Sequence, residues 1–564
     1  MSQSLLDNAL RVGVIVGVGA NGTTVNLSHA GLTSGSYHLG NRYGRGEVGE
    51  IILIEGQESL SIGKIIDIKL PEKERANLNA VSYQDEKVDA VGYVQLLGTV
   101  NLSSLSVSAG VSSYPRIGDA VFSAPSHFIS MIPSLTNSSA SNRAEESLIN
   151  VGSIPNSKGS FHIGPEKLFG RHCAILGSTG GGKSWTTARL VQECAKFKNS
   201  KVILVDATGE YRSLPEAYTT HMHLGQPLHR HKSSLPFRMP PTDFDESDFI
   251  TLFEPSGKVQ GPKLRAAIRS LRLVNLEPSI AHNGILLKIG QKKDLYRVAL
   301  NKNNNSSLVD KPSQPFNVKK LIGQIQQECH YINHDGSWGN KNEGDISYCS
   351  SLFTRIMGVI NSPAFSSVFE ESNSSSLDEV LNDFLKSPKQ VLRLCLSSTS
   401  YEYHAKEILA NALGRKLMMF ARNERFIERP LLVILDEAHN FLGKRIGIDE
   451  NSINLDAFEI IAKEGRKYGL NICLATQRPR DITEGVISQM GTLIVHRLTN
   501  NNDREVIERA CGEADRSIVS FLPNLKQGEV AILGVDFPIP LTIQIHKPSP
   551  PPLSDSPDYR KLWA

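Results

Sequence analysis

The stretch Gly177-Ser178-Thr179-Gly180-Gly181-Gly182-Lys183-Ser184 constrains this chain more than any other. It follows a short apolar run, Cys173–Leu176. It precedes a segment carrying Thr187, Leu190, Val191, Cys194 and Phe197 on one face at helical spacing. Strand, glycine-rich turn and helix, in that order, is the context in which GxxxxGK[ST] cradles phosphate. Glycines let backbone N–H groups wrap phosphate oxygens without Cβ clashes, and the helix N-terminus adds partial positive charge. Gly177, Ser178, Thr179, Gly180, Gly181 and Gly182 are therefore the expected cradle of ATP. Lys183 is expected at the β- and γ-phosphates, and the Ser184 hydroxyl on Mg2+.

Leu431-Leu432-Val433-Ile434-Leu435 reads as a buried strand ending in Asp436-Glu437. Asp436 is expected to hold Mg2+ through water, and Glu437 to orient and deprotonate the attacking water. An adjacent Asp-Glu at a strand end suits hydrolysis of the γ-phosphate better than its transfer to another substrate. His439 and Asn440 follow as residues of a helix start. A third apolar strand, 471–476, ends in Gln477, placed to sense the γ-phosphate and the bound water; a polar loop after a core strand is the plain alternative. Arg466, Arg171 and Arg497 are the arginines that can complete such a site, although Arg466 also sits in a charge run (Lys463-Glu464-Gly465-Arg466-Lys467) of the kind that coats a solvated face.

The rest of the chain sets these motifs in order. Residues 10–130 carry short Val/Ile-rich runs separated by Gly, Asn and Ser, the pattern of a small barrel or sandwich. After a Ser/Asn-rich stretch, strands alternate with helical patterns, which indicates an α/β unit with a mainly parallel sheet. Residues 240–390 are more helical. The expected layout is an N-terminal β-barrel (1–133), a linker (134–150), a RecA-like P-loop core in two parts (151–240 and 391–545) interrupted by a helical insertion (241–390), and a Pro-rich tail (546–564). That tail either dangles or straps a neighbouring subunit. With 564 residues, 61 Lys and Arg against 58 Asp and Glu leave a net charge of +3, which excludes a polybasic protein but not a local positive groove. Seven cysteines without a CxxC argue against a disulfide framework. With no 18-residue apolar run and no leader pattern, the expectation is a cytoplasmic protein without a membrane span.

GSTGGGKS, VDATGEY (205–211), LLVILDEAHNF (431–441), EGRKYGLNICLATQRP (464–479) and ISQMGTLIVHRLTNNND (487–503) together resemble the HerA-type DNA translocases of the HerA-FtsK group of P-loop ATPases. The resemblance implies a homohexamer that hydrolyses ATP at subunit interfaces and pumps double-stranded DNA through a central channel. It implies Lys183 and Ser184 as the Walker A pair, Asp436 and Glu437 as the Walker B pair, and Gln477 as the sensor. Arg466 would be a finger offered to the neighbour's ATP, and Arg171 a contact to the nucleotide of its own subunit. Asp206 and Glu210 match acidic positions beside the site, although Ala207-Thr208 depart from the usual pattern there. It further implies a separately encoded nuclease or sirtuin-like effector docked on the N-terminal barrel, in DNA end processing or anti-phage defence. The alternative is a ring scaffold that assembles and activates such an effector, with DNA pumping secondary.

Two weaker constellations remain. His221, His223, His229 and His231 lack a cysteine or carboxylate at zinc-ligand spacing and read as a solvated or DNA-facing basic loop. The basic segment 258–269 reads as a surface helix or a channel-facing one.

Overall fold

The computed structural model describes residues 5–20, 22–28, 36–38, 41–43, 46–70, 90–135, 148–155, 159–369, 373–400, 402–446, 452–511, 518–554, 559 and 563. Most of the expected linker lies outside them. Within them, residues 134–135 close a helix, Ser126–Leu135, and residues 149–150 open a strand, Ile149–Ser153. The chain forms two compact units. One takes in Met1–Ser200, Leu432–His439 and Asn471–Ala564, the other Lys201–Leu431 and Asn440–Leu470.

The first unit begins with a closed antiparallel barrel. Its strands follow the order Gly22–Leu27, Arg11–Gly19, Ala120–Ser123, Ile51–Glu55, Ser59–Lys69 and Ala90–Asn101, and the last pairs back onto the first through Val25 and Gly92. Closure follows from the side-chain period of two. Val12, Ile15, Val25, Ile52, Ile54, Ile65, Val94 and Val121 turn into one dry core, where side chains fill a barrel this small.

Beyond the barrel, the same unit builds a sheet around the strand Cys173–Leu176. That strand runs parallel to both Leu470–Thr476 and Thr492–Val495. All four of its residues are buried, as expected for an apolar strand covered on both faces. Leu431–Leu435 follows Leu470–Thr476 in the sheet order. On the other side, Glu529–Gly534, Phe537–Ile545, Ile149–Ser153 and Ser160–Ile163 add on antiparallel. The sequence expectation of a mainly parallel core thus holds for the strands that carry the motifs, and the sheet is mixed towards its edge.

The helix Lys183–Cys194 is tied to this edge by a buried carboxylate. Glu193 pairs with Arg189 at 2.8 Å and accepts the backbone N–H of Asn150 at 3.1 Å. Both oxygens are engaged, which is what lets a carboxylate sit in the core.

The second unit holds a parallel sheet in the order Lys201–Asp206, Val391–Cys395, Thr219–Leu224, Leu235–Arg238 and Ser375–Ser376. Its helices include Glu246–Phe253, Gly257–Leu276, Leu321–Glu328, Ser350–Ile360 and Ala405–Arg422. Leu409, Leu413, Leu417 and Phe420 of the last are buried, as the helical spacing required.

Two sequence expectations change here. His221 and His223 are not in a solvated loop: they lie on Thr219–Leu224, each 2% exposed. His221 contacts the Leu214 carbonyl at 2.9 Å and stacks on His231 with ring centroids 4.2 Å apart. Burial, with His231 beside it, pushes the His221 pKa down to about 4. Alternating His and apolar residues had disguised a strand. In the basic segment, Lys263, Arg265 and Arg269 pair with Asp345, Glu246 and Asp310. These pairs neutralise much of a helix that its sequence presented as positive.

Candidate nucleotide site

The site starts where Cys173–Leu176 runs out. Gly180 and Gly182 take φ of 74° and 108°, values that side chains with a Cβ rarely adopt. Gly177 is required for another reason, since a Cβ there would meet the Cβ of His496 at 2.5 Å. The Ser178 N–H and hydroxyl both donate to the Arg497 carbonyl, at 3.1 and 2.9 Å, fixing the loop's entry. Among the described residues, the N–H groups of Thr179, Gly180 and Gly182 have no acceptor. Lys183 donates to the Ser178 carbonyl at 3.1 Å, so its ammonium stays over the loop. Open backbone donors, a cation and a helix N-terminus in one turn fit a polyphosphate.

His496 supports this loop from below. It is fully buried, and its Nε2 lies 2.9 Å from the Thr186 hydroxyl. Burial, reinforced by the Lys183 ammonium, pushes its pKa down to about 3, so the ring is neutral. Sequence reasoning quoted the segment around His496 without giving it a role. The available signal was its position, first after the apolar strand Thr492–Val495.

The acidic strand end approaches the same loop. Leu431–Leu435 is buried throughout and delivers Asp436, 6% exposed, and Glu437. Glu437 holds a left-handed φ of 50°, a strain of about 1–3 kcal/mol for a residue with a Cβ. Its Oε2 lies 3.2 Å from His439 Nδ1 and receives the Gln477 amide at 3.4 Å. Gln477 also accepts a 2.5 Å hydrogen bond from the Thr179 hydroxyl in the phosphate loop. His439 Nδ1 is in turn 3.1 Å from the hydroxyl of buried Thr476. One amide therefore bridges the phosphate loop and the acidic strand end. His439, read from the sequence as a helix-start residue, is instead buried and sits against Glu437.

The remaining expected site residues are placed differently. Arg171 does not reach the loop of its own chain. It lies before the N-terminal end of Cys173–Leu176, while the loop follows the C-terminal end. Its guanidinium pairs with Asp536 at 3.4 Å.

Asp206, Glu210 and Arg466 belong to the second unit. Asp206 is fully buried and its oxygens are already engaged. Gly209 N–H donates to one at 2.7 Å. Tyr211 N–H at 3.2 Å and Arg393 Nε and Nη2, each at 2.7 Å, hold the other. Lys406 adds a bond to the Ala207 carbonyl at 3.1 Å. Asp206 thus organises the 207–211 loop through the donors it already holds. Glu210 is half-buried in the turn Glu210–Ser213. Arg466 is exposed in the turn Gly465–Tyr468. Its neighbours Lys463 and Glu464 pair with Glu459 and Arg422, whereas Arg466 has no ion pair among the described residues. No helix among the described residues is long and apolar enough to cross a membrane.

Comparison with known proteins adds an independent line. Residues 149–331 match the family model of the central domain of helicase HerA. The chain is 24% identical over 511 residues to a probable helicase of Methanocaldococcus jannaschii, covering 88% of each chain. It is 26% identical over 416 residues to the DNA double-strand break repair helicase HerA of Sulfurisphaera tokodaii, covering 73% of this chain and 72% of that one. Among solved structures, VirB4 of Thermoanaerobacter pseudethanolicus aligns with a TM-score of 0.43 and 16% identity, over 72% of this chain and 98% of that one. With the phosphate loop, the acidic strand end and the bridging glutamine assembled in one unit, the chain is similar to the HerA helicases over most of its length, carries their central domain over residues 149–331, and is an ATP-hydrolysing enzyme.

Proposed function

We propose that this chain is a double-stranded DNA translocase or helicase that works as a homohexamer with a separately encoded nuclease or other effector, in DNA end processing or anti-phage defence. The observation that carries the reading is the Gln477 bridge between Thr179 and Glu437. A protein that only stores a nucleotide has no use for a link between its phosphate loop and a carboxylate. A motor must couple the state of the γ-phosphate to the rest of the subunit. The curated relatives are helicases, and those named HerA are described as repairing double-strand breaks.

In this reading the N–H groups of the 177–182 loop and Lys183 hold the triphosphate. Ser184 and Asp436 hold Mg2+, which when bound draws charge from the β- and γ-phosphate oxygens. Glu437 takes a proton from the water that attacks the γ-phosphate, and the products are ADP and phosphate. Gln477, anchored by Thr179, fixes the direction of that carboxylate. Arg466, exposed and without an ion pair among the described residues, is offered to the ATP of the next subunit. The barrel is the docking face for the effector.

The test is ATPase turnover with and without duplex DNA at several salt concentrations. Stimulation that fades as salt rises is the expected result. Turnover indifferent to DNA, with an effector still switched on by a hydrolysis-dead Glu437→Gln protein, would point to the ring-scaffold alternative. In mixed assemblies, Arg466→Ala and Glu437→Gln chains should partly restore each other's hydrolysis; no recovery at any mixing ratio rejects the role between subunits.

A further inference from the structure

A second opening adjoins the phosphate loop, and the motifs do not account for it. It is a cavity of about 360 Å3 that includes Gly182 and is walled by Trp185, Gln527, Gln544, His546 and Lys547. That volume falls among small-molecule sites, which span about 300–1,000 Å3. We propose that this cavity takes the nucleobase of the bound nucleoside triphosphate, stacked on Trp185. The proposal rests on the phosphate-loop reading and extends it to the other end of the ligand.

Three observations support it. The first is continuity. Gly182 is shared with the phosphate loop, so the cavity is within direct reach of a ligand whose phosphates lie along 177–184. The second is chemistry. Trp185, half-buried in the first turn of the helix Lys183–Cys194, offers an aromatic face beside two amides. Stacking of a base on such a face is favourable for any base, and the amides at its rim can donate or accept at a polar edge. Gln544 is drawn in close to Gly528, where a Cβ would meet its Nε2 at 2.7 Å. Lys547 faces the indole from 5.9 Å, a cation beside the position of an electron-rich ring.

The third observation is that the walls are tied to the loop. Gly528 N–H donates to the Gly181 carbonyl at 3.4 Å, and the Gln527 amide to the Gly180 carbonyl at 3.5 Å. The chain just past Lys547 is clamped onto the same helix by one side chain. Gln192 accepts the Ser549 N–H and donates to the Pro550 carbonyl, both at 3.0 Å. The start of the Pro-rich tail is thus fastened to the helix that carries Trp185.

The experiment compares the binding of ATP and of inorganic tripolyphosphate, which lacks a base, to the full-length protein by calorimetry. Trp185→Ala should weaken ATP about tenfold or more and leave tripolyphosphate unchanged. Lys547→Ala, at an exposed position, should weaken ATP a few-fold with the same selectivity. If neither variant separates ATP from tripolyphosphate, the base lies elsewhere and the proposal falls. Lys183→Ala should lose both ligands; if it keeps both, the phosphate-loop reading itself has failed, and the two failures are told apart.

Discussion

Two strands of this chain end in an aspartate after a run of buried apolar residues, and the two ends have opposite character. Lys201–Asp206 finishes in a carboxylate with no exposed surface, held by two backbone N–H groups and the Arg393 guanidinium. Leu431–Leu435 is followed by Asp436 and a Glu437 that stands in a strained conformation, half-buried, with a long 3.4 Å contact from Gln477. In sequence both read as an apolar strand with an acidic tip. Their neighbours decide the difference. At Asp206 those donors hold a carboxylate that has no exposed surface, so its main work is structural. Glu437 instead stands on a strained backbone, partly exposed, with His439 and Gln477 against one of its oxygens.

This contrast can be broken by substitution. The largest effect is expected at Glu437→Gln, where turnover should fall about a thousandfold while ATP binding persists. Retained turnover in a steady-state assay would remove Glu437 from the chemistry. Next in size is Asp206→Asn, which leaves the Arg393 charge buried without its counter-charge and should cost about 3–5 kcal/mol of folding stability. Denaturant unfolding measures this, and turnover per folded molecule should change little. A variant that unfolds normally but has lost turnover would place Asp206 in the reaction after all.

The smallest effect sharpens the contrast from within the first unit. His496 also lies at the nucleotide site, yet it is as fully buried as Asp206. Its pKa is about 3 in the folded chain against about 6.5 when unfolded, so the unfolded state binds the proton first as pH falls. This residue contributes nothing to the pH dependence above pH 6.5. Below it, it should cost about 1.4 kcal/mol per pH unit until the folded pKa is reached. A His496→Gln protein should therefore show a shallower loss of stability between pH 6.5 and 5; an identical slope would mean that the ring is not neutral and buried.

Much of this arrangement was legible in the sequence, and the parts that were not share a physical cause. Cys173–Leu176, Lys201–Asp206 and Leu431–Leu435 were readable to the residue, because an apolar run bounded by glycine or charge has few other ways to fold. The approach of Gln477 to Glu437 was expected from adjacent strand ends, but its bond to Thr179 was not. Hydroxyl-to-amide contacts between segments about 300 residues apart leave no periodic trace. Thr219–Leu224 was missed because His221 and His223 occupy inward positions where pattern reading expects apolar side chains. The antiparallel strands at 149–163 and 529–545 were missed in part for a similar reason, since Gly152 and Gln544 interrupt their alternation. Arg171 was misjudged through linear proximity: it is close to the P-loop in number and a strand's length away in space.

The closed barrel has a consequence for recognition. Its strands are paired around the full circle, and the extra strand on its outside, Val107–Ala109, is three residues long. A protein arriving at this surface finds little unpaired backbone to extend by adding a strand of its own. Discrimination between partners then falls to side chains and to the connecting loops at the rims. Such positions can change in sequence while the barrel beneath them stays unchanged, so what the surface recognises can be altered without refolding the barrel.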